Sequence, residues 1–245
     1  MQVLTFAIQK GGGGKTSSCL AIAQAAAKDG RKVLVIDLDP QGNATFTLQA
    51  DPNRGGSYDL LANGTPARRI IQQTAGNIDV IPASWGLSTI TSSTGSAKRL
   101  QTALKPIRGK YDLIIIDTPP QSAELQYNAL QAATGLIIPL QADVYGLQGL
   151  FQIAETAEAF KKSNPELQIK GFILTRHNGR STLAKQMQER ITERAAALNI
   201  PFLGTIRAGV AIQEAQLTRQ NLFDYAPNSN PAKDYLALYN KIMEA

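Results

Sequence analysis

Cysteine is nearly absent from this sequence, because Cys19 is the only one among 245 residues. A single thiol cannot close a disulfide within the chain or supply a cysteine-rich zinc or iron–sulfur site. Long hydrophobic runs are also missing: the stretches 113–116 and 135–140 fall far below the roughly 18 residues of a membrane-spanning helix. The first residues carry neither a basic segment nor a signal-peptidase site. These absences predict a protein of the reducing cytoplasm that does not cross a membrane.

Acidic residues are scarce in one late part of the chain. The sequence has 25 Lys and Arg against 19 Asp and Glu, a net charge of +6. Between residues 161 and 219 there are ten Lys and Arg and four Glu, so this block alone accounts for the excess. Such an asymmetry indicates either a surface that faces a polyanion or an ordinary solvated helical surface. The charge alone leaves both interpretations open.

Short β-rich apolar runs alternate with helical patterns along the chain. The predicted strands are Val3–Ile8, Val33–Ile36, Ile78–Ile81, Leu113–Ile116, Leu136–Leu140, Ile169–Leu174 and Phe202–Leu203. The predicted helices are Thr16–Lys28, Ala123–Ala133, Gly146–Lys162, Thr182–Leu198 and Ala232–Met243. Two polar stretches, Thr45–Thr74 and Ser84–Ser96, are predicted as short helices and loops. The alternation predicts an α/β protein with a mostly parallel, doubly wound sheet and helices on both faces.

The strongest local feature is the glycine-rich segment from Lys10 to Thr16, between a predicted strand and a predicted helix. Glycines let successive N–H groups surround a phosphate, and the start of the helix adds positive potential. Lys15 is placed to reach phosphate oxygens and Thr16 to bind Mg²⁺. A strict G-x-x-x-x-G-K-T match fails because Gln9 stands at the first glycine position. A second lysine, Lys10, is present instead.

Carboxylates follow two further buried strands. Asp37 and Asp39 come at the end of the second strand, and Asp117 ends the run Leu113–Ile116. In a parallel sheet, ligands bind at the carboxyl ends of the strands, so these groups are expected beside the glycine-rich loop. One carboxylate there can hold Mg²⁺ through water while another positions a water for phosphoryl transfer.

At this point the sequence resembles the ParA/MinD family of deviant Walker-A P-loop ATPases. The resemblance rests on KGGGGKTS, DLDPQGNAT, IIIDTPP, ADVYGLQGL (142–150) and LTRHNGRSTLA (174–184). It is greatest to the small ParA proteins of plasmid and chromosome partition that have no N-terminal DNA-binding extension. The resemblance implies one ATPase domain over residues 1–245, with ATP and Mg²⁺ as cofactors.

The resemblance also implies a role for each site residue. Lys10 is expected to reach the ATP of a partner subunit in a sandwich dimer, and Asp39 is expected to be needed for hydrolysis. Asp37 is expected to support the Mg²⁺ water shell or the attacking water. The implied catalytic set is Lys10, Lys15, Asp37 and Asp39, and the metal set is Thr16, Asp37 and Asp117. The implied nucleotide-binding residues are Gly11, Gly12, Gly13, Gly14, Lys15, Thr16, Ser17 and Asn178. The loop departs from the common form of the family at Gly13, where valine is usual, and at Ser17, where threonine is usual.

The same resemblance implies a nucleoid-associated switch. An ATP-dependent homodimer would bind non-specific DNA, and a ParB-like centromere-binding partner would stimulate hydrolysis. Arg180 matches a DNA-contacting arginine of the family, whereas Ala211 stands where a second one is usual. The expected DNA-binding residues are therefore Arg180, Lys185, Arg207 and Arg219. On the helix 182–198, whose predicted apolar stripe is Leu183, Met187, Ile191 and Leu198, pairing of the basic residues with Glu189 and Glu193 is an equally good explanation.

Other branches of the family are alternatives. A MinD-like division-site regulator needs a terminal amphipathic helix on the membrane, which the last residues do not resemble. A redox protein like the nitrogenase iron protein needs two cluster cysteines per subunit. An ATPase that positions another cargo, such as a protein array or a microcompartment, is barely separated from DNA partition by the sequence.

Overall fold

The computed structural model describes residues 1–74, 76–91, 97–120 and 122–244. Its strands are β1 (Gln2–Phe6), β2 (Val33–Asp37), β3 (Gln72–Gln73), β4 (Ile78–Ile81), β5 (Leu113–Asp117), β6 (Gly135–Leu140), β7 (Gln168–His177) and β8 (Phe202–Arg207). The α-helices are α1 (Lys15–Lys28), α2 (Asn43–Thr47), α3 (Ser57–Ala62), α4 (Ala67–Ile70), α5 (Arg99–Leu104), α6 (Ala123–Ala132), α7 (Val144–Lys161), α8 (Thr182–Ala197), α9 (Ala211–Leu217), α10 (Leu222–Tyr225) and α11 (Asn230–Glu244). Short 3-10 helices occupy Pro52–Arg54, Trp85–Thr89 and Lys105–Ile107.

The strands form one sheet in the order β3-β4-β2-β5-β1-β6-β7-β8. Every neighbouring pair is parallel except β3 and β4, which pair in antiparallel register. β1 is the first strand in the sequence, and it lies between β5 and β6 in the sheet. The predicted doubly wound α/β fold is therefore confirmed, with an antiparallel edge strand that the sequence pattern did not reveal.

Both faces of the sheet are covered. On one face, Leu4 and Phe6 of β1 pack with α1, α9, α10 and α11. On the other face, Val3 packs under α3, α5 and α6. Residues of β6 and β7 on that same face pack under α7 and α8. Because adjacent residues of a strand point to opposite faces, burial on both sides explains why these strands are continuous apolar runs.

Helix α11 holds both ends of α1. The hydroxyls of Tyr235 and Ser18 share a buried hydrogen bond of 3.0 Å near the start of α1. At the other end, the Tyr239 hydroxyl donates to Asp29 Oδ2 at 2.6 Å, and Arg31 Nε donates to the same hydroxyl at 2.9 Å. The position of α1, and with it of the loop that precedes it, thus depends on α11.

The strands and long helices begin and end within a few residues of the predicted bounds, except at β7 and β8. These two strands extend to His177 and Arg207, three and four residues beyond the predicted ends. The stretch 45–74 contains short helices and loops, as predicted. Part of the stretch 84–96, residues 92–96, lies outside the described residues.

Helix α8 corrects one predicted detail. Met187 and Ile191 are buried, but Leu183 is 68% exposed and Leu198 is 43% exposed. Ala195 completes the buried face instead of Leu198. The predicted stripe was therefore wrong at both ends, where Leu183 lies in the first turn of α8 and Leu198 follows its last residue.

Candidate functional site: a phosphate loop between parallel strands

The glycine-rich loop 10–16 joins β1 to α1 and is held from outside by two polar side chains. Gln141 Nε2 donates to the carbonyl oxygen of Gly12 at 2.9 Å. Thr175 Oγ1 donates to the carbonyl oxygen of Gly13 at 2.9 Å. Gln141, which follows β6, and Thr175 of β7 thus occupy these two carbonyl oxygens. The N–H groups of the loop remain as donors, which is what a phosphate requires.

Gly13 is required by a close approach of two backbones. A Cβ atom at this position would lie 2.9 Å from the carbonyl oxygen of Pro139 and 3.2 Å from Ile8 Cγ2. The valine common at this position in the resembled family therefore does not fit here unless the loop or β6 shifts. The departure noted in the sequence has a steric cause.

Helix α1 begins without a side-chain cap. Gly14 is the residue before it, in the left-handed conformation with φ of 80°, and no side chain accepts from the first turn. The first N–H groups of a helix have no partner within the helix and carry its positive dipole end. These N–H groups are available to an anion in the cleft.

Lys15 is a buried cation at the centre of the site. Its side chain is only 6% exposed, and Nζ donates to the carbonyl oxygens of Lys10 (3.2 Å) and Ile8 (3.4 Å). Burial lowers the pKa of Lys15, and the nearby carboxylates of Asp117 and Asp39 oppose this shift. A phosphate would supply the anionic partner that a buried ammonium needs.

Asp37 and Asp117 lie side by side at the ends of β2 and β5. Asp37 is fully buried, and its Oδ2 accepts from the backbone N (2.8 Å) and the Oγ1 (2.7 Å) of Thr45. Its Oδ1 accepts from the backbone N of Asp39 at 3.0 Å. Burial raises the pKa of Asp37 to about 6 although these donors oppose the shift. Asp37 thereby fixes the start of α2 and the backbone of Asp39.

Asp117 has an oxygen without a partner. Its Oδ2 is buried and receives no hydrogen bond from the described residues, while Oδ1 lies 3.6 Å from Cys19 Sγ. Burial and then the charge of Asp37 raise the pKa of Asp117 to about 8, against the Thr16 hydroxyl and the Lys15 charge. An unpartnered buried carboxylate oxygen beside a threonine hydroxyl fits the hard oxygen chemistry of Mg²⁺.

No group of three or more His, Cys, Asp or Glu side chains that could hold a metal occurs among the described residues. Mg²⁺ does not require such a group, because it keeps several waters and is commonly held by one or two protein oxygens together with substrate phosphates. Thr16 and Asp117 are the residues that would hold it, and Asp37 lies beside them.

The loop opens into a cleft of about 590 Å³. Asp39, Gly12 to Ser17 and Pro120 line it on one side. Its further lining comes from α2, the end of β7 and α9, namely Asn43, Phe46, Thr47, Arg176, Gln213, Gln216 and Leu217. Asp39 is 8% exposed, and its Oδ1 accepts from the backbone N of Gln41 at 3.0 Å. This volume is in the range of small-molecule sites.

Two residues of the predicted nucleotide site are placed outside this lining. Asn178 lies beyond the end of β7, where its Oδ1 accepts from the backbone N of Arg180 at 3.1 Å. Gly11 is open to space on its Cβ side and is not among the described lining residues either. Ser17 does line the cleft and accepts from Gln216 Nε2 at 3.2 Å.

Arg176 is a cleft residue that the sequence analysis missed. It lies in β7 and has a φ of 50°, a strained backbone for a non-glycine residue. Such strain is characteristic of functional sites. The usable signal was its place at the carboxyl end of a parallel strand, which the predicted end at Leu174 concealed.

Lys10 points away from the cleft that its own loop forms. Its Nζ lies 2.7 Å from Asp143 Oδ2 and 5.2 Å from the centre of the Tyr145 ring. Lys10 and Tyr145 line a shallow depression on α7 together with Gln148 and Gln152. Lys10 is absent from the described lining of the nucleotide cleft.

The predicted DNA-binding residues divide into two pairs. Arg207 is held by Asp234 through contacts of 2.6 to 3.2 Å, and the Arg219 guanidinium lies 4.0 Å from the centre of the Phe46 ring. Arg180 and Lys185 are exposed, and no carboxylate of the described residues lies within salt-bridge distance of either. The predicted pairing of α8 basic residues with Glu189 and Glu193 is likewise not formed.

Sequence comparison with known proteins identifies the family of this chain. The family model described as AAA domain matches residues 1–169. The chromosome partitioning protein ParA of Myxococcus xanthus is 32% identical over 99% of this chain and 88% of its own length. The chromosome-partitioning ATPase Soj of Thermus thermophilus is 35% identical over 98% of this chain and 94% of its own length. The chain belongs to the ParA/MinD family of deviant Walker-A ATPases.

Solved structures agree with this membership. The ATP complex of a Cyanothece McdA variant has a TM-score of 0.87 at 25% identity and covers 100% of this chain and 95% of that chain. The cobyrinic acid a,c-diamide synthase of Mycobacterium smegmatis with an ATP analogue and magnesium has a TM-score of 0.82 at 27% identity, covering 98% and 93%. This ParA/MinD-family protein is accordingly a P-loop ATPase that uses ATP and Mg²⁺.

A second family model, the NifH/frxC family of 4Fe-4S cluster-binding proteins, matches residues 128–245. That part of the chain contains no cysteine, since Cys19 is the only one in the sequence. Cys19 is fully buried in α1, where burial raises the pKa of its thiol well above the usual value. The match therefore follows from the shared fold and not from a cluster site.

No helix in the described ranges combines the length and the apolar character that spanning a bilayer demands.

Proposed function

We propose that this ATPase partitions DNA. In this proposal ATP and Mg²⁺ join two copies of the chain, the dimer binds DNA of any sequence, and hydrolysis stimulated by a ParB-like partner releases it. The relatives at 32–35% identity that are named for chromosome partitioning support this choice of cargo. The protein would accordingly be found on the nucleoid.

The observation that carries the dimer is the outward position of Lys10. A lysine that acted on its own nucleotide would line its own cleft, whereas the Lys10 ammonium lies on Asp143 and Tyr145. From that outer surface it is placed to meet the phosphates bound by a second copy. A cation supplied in trans neutralises charge that develops on a transferring phosphoryl group.

Within each subunit the other roles follow from position. Bound Mg²⁺ would neutralise phosphate charge, and Thr16 and Asp117 would hold it. Lys15 and the loop N–H groups bind phosphate oxygens. Asp39 lines the cleft with one carboxylate oxygen on Gln41, which leaves the other free to orient the attacking water. Asp37 acts through Asp39 and Thr45 as a positioning residue.

The DNA surface in this proposal is built on the ends of β7 and β8. His177 and Arg207 are register partners, so the turn 178–181 and the segment after Arg207 lie next to each other. Arg180 and Lys185 carry exposed charge there, without an ion-pair partner among the described residues. Phosphate contacts of this kind give strong affinity without base recognition.

Light scattering tests dimerisation. The monomer is 26.3 kDa, and we expect twice this mass with ATP and Mg²⁺ but not with ADP. Asp39→Ala removes the carboxylate that orients water and should make the dimer persist. A mass that stays at the monomer value for both proteins with ATP would reject the proposal.

The trans role of Lys10 is tested by separating binding from turnover. Lys15→Ala should abolish binding of a fluorescent ATP analogue at dilutions where the protein is monomeric. Lys10→Ala should bind the analogue as tightly as wild type yet lose concentration-dependent hydrolysis. If Lys10→Ala weakens monomer binding as much as Lys15→Ala does, Lys10 acts within its own subunit and the proposal is wrong.

Salt titration tests DNA binding. Arg180 and Lys185 of two subunits make four phosphate contacts, which predicts about a hundredfold loss of affinity for random duplex DNA between 50 and 200 mM salt. Arg180→Ala should reduce the slope of log K against log salt by about two. Lys162→Ala is the matched control, because the exposed Lys162 follows α7 and precedes the start of β7, whereas Arg180 follows the end of that strand. A slope unchanged by Arg180→Ala would contradict this surface.

The similarity to McdA, at 25% identity, favours a second candidate, a family ATPase that positions another cargo. Affinity for DNA does not separate the two. Retention of a ParB-like protein with its centromere DNA by the ATP-bound dimer would, since only the partition function requires it.

A further inference from the structure

A groove of about 720 Å³ is lined by residues between Leu60 and Ile107, which come well after the phosphate loop in the sequence. It is bounded by the end of α3, the turn 63–66, α4, α5 and the 3-10 helix Lys105–Ile107. It shares no lining residue with the nucleotide cleft. We call it the basic groove because Arg68, Lys98 and Arg99 are among its lining residues.

The part of the chain that forms the basic groove has many more basic than acidic residues. Residues 60–111 contain seven Lys and Arg and one acidic residue, Asp79. Asp79 accepts from the Tyr111 hydroxyl at 2.6 Å. Asp59, which precedes this range in α3, accepts from the backbone N of Gly56 at 3.0 Å and from Nδ2 of the lining residue Asn63 at 3.1 Å. This second basic block is hidden in the total charge because acidic residues elsewhere offset it. Arg68 is an exposed lining residue of the groove, and the exposed Lys105 immediately precedes the lining residue Pro106.

The wall of the basic groove is held in place by Arg99. Its guanidinium donates to the carbonyl oxygens of Leu61 and Ala62, which ties α5 to the last residues of α3. On the neighbouring turn, Arg108 pairs with Glu166 at 3.7 Å. The groove is therefore formed by fixed elements and not by loosely placed side chains.

The floor of the basic groove is apolar. Leu60, Ala67 and Ile107 are buried at its base, and Ala103 and Pro106 line it above them. A ligand that fits must offer an apolar group to the floor and negative charge to the rim. Duplex DNA offers charge without an apolar side chain, so it matches the rim but not the floor.

We propose that the basic groove binds an acidic amphipathic helix of a partner protein, whose apolar side chains enter the groove while its carboxylates face Arg68 and Lys105. Helices are commonly bound in this way, with anchors at i, i+3, i+4 and i+7. Because the groove shares no lining residue with the ATP cleft, we expect peptide binding there not to require bound ATP.

Fluorescence anisotropy with designed peptides tests the proposal. The probe is a labelled peptide of about 18 residues, with leucines at those spacings and glutamates elsewhere. Two matched peptides replace the glutamates by lysine or the leucines by serine. The acidic amphipathic peptide should bind the full chain at least about tenfold more tightly than either control.

Variants of the chain complete the test. Arg68→Glu reverses rim charge and Thr102→Trp fills the groove without changing charge, and each should weaken peptide binding at least about fivefold while leaving basal ATPase activity unchanged. Arg54→Glu, an exposed change outside the groove, is the control. Lys15→Ala should bind the peptide normally even though it loses ATP. Equal binding of the acidic and basic peptides, no effect of Arg68→Glu, or displacement of the peptide by duplex DNA would each overturn the proposal.

Discussion

Asp117 illustrates at the residue scale how an ATP site is built at the expense of stability. Its carboxyl is fully buried, beside Asp37 and without a partner on Oδ2, and burial raises its pKa to about 8. The folded protein therefore binds this proton more tightly than the unfolded chain does. The resulting stabilisation is complete below about pH 4 and is lost as the pH rises through about 8.

We therefore expect the free energy of unfolding of the nucleotide-free protein to fall between pH 6 and pH 8, as measured by urea denaturation. Asp117→Asn removes the buried charge and should flatten this dependence, raising the free energy of unfolding at pH 8 by about 1–2 kcal/mol. Glu189→Gln, on the exposed side of α8, is the control and should leave the pH profile unchanged. A variant less stable than wild type at pH 8 would contradict the assignment.

A second residue-scale prediction concerns the contact between Lys10 and Asp143. If Lys10 serves a partner subunit, Asp143 competes for it, and Asp143→Asn should strengthen ATP-dependent dimerisation about two- to fivefold, the usual strength of an exposed ion pair. Asparagine keeps the N-cap that Asp143 provides to Gly146. Asp224→Asn, which breaks the exposed pair with Lys28, is the matched control. Dimer affinity from light-scattering titration should change only in the first variant.

At the scale of elements, the sequence predicted the strands with buried centres well, because those runs are apolar on both faces. It failed where backbone pairing continues through polar residues. Residues 175–177 of β7 and 204–207 of β8 are strand because of their neighbours, and no side-chain pattern marks them. For this reason the sequence did not predict Arg176 as a cleft residue. Lys15 and Thr16 could be predicted from the glycine-rich loop, and Asp37 and Asp117 from their positions at the ends of apolar strands.

Helix α8 provides a matched test of burial. Met187 is 6% exposed and Leu183 is 68% exposed on the same helix. Met187→Ala should lower the free energy of unfolding by about 2–3 kcal/mol, because it removes buried apolar volume. Leu183→Ala should change it by less than about 0.5 kcal/mol. Urea denaturation of both variants measures the difference. Equal losses of unfolding free energy would contradict the exposed position of Leu183.

At the scale of the whole molecule, we propose that residues 1–245 unfold as one domain. β1 pairs with β5 on one side and β6 on the other, so neither half of the sheet is complete without it. The two matched family models also overlap over residues 128–169. Scanning calorimetry should give one transition with calorimetric and van't Hoff enthalpies in agreement, and ATP with Mg²⁺ should shift it as a unit. Two separable transitions would count against a single domain.

The charge distribution shows what composition conceals at this scale. The net charge of residues 161–219 equals that of the whole chain, +6. Residues 60–111 have the same net charge, but acidic residues elsewhere in the chain offset it. Only the folded structure shows that the second block surrounds an apolar groove. The net charge of sequence segments therefore does not reveal which basic residues lie together in the folded protein.

The contacts that hold α1 between Tyr235 and Tyr239 have a consequence for the order in which the protein is made. The ribosome synthesises the phosphate loop first and residues 230–244 more than two hundred residues later. Until then Ser18 has no Tyr235 hydroxyl as a partner, and α1 lacks the part of its packing that α11 supplies. We therefore expect the newly made polypeptide to hold α1, and the phosphate loop before it, in the final position only once α11 has emerged.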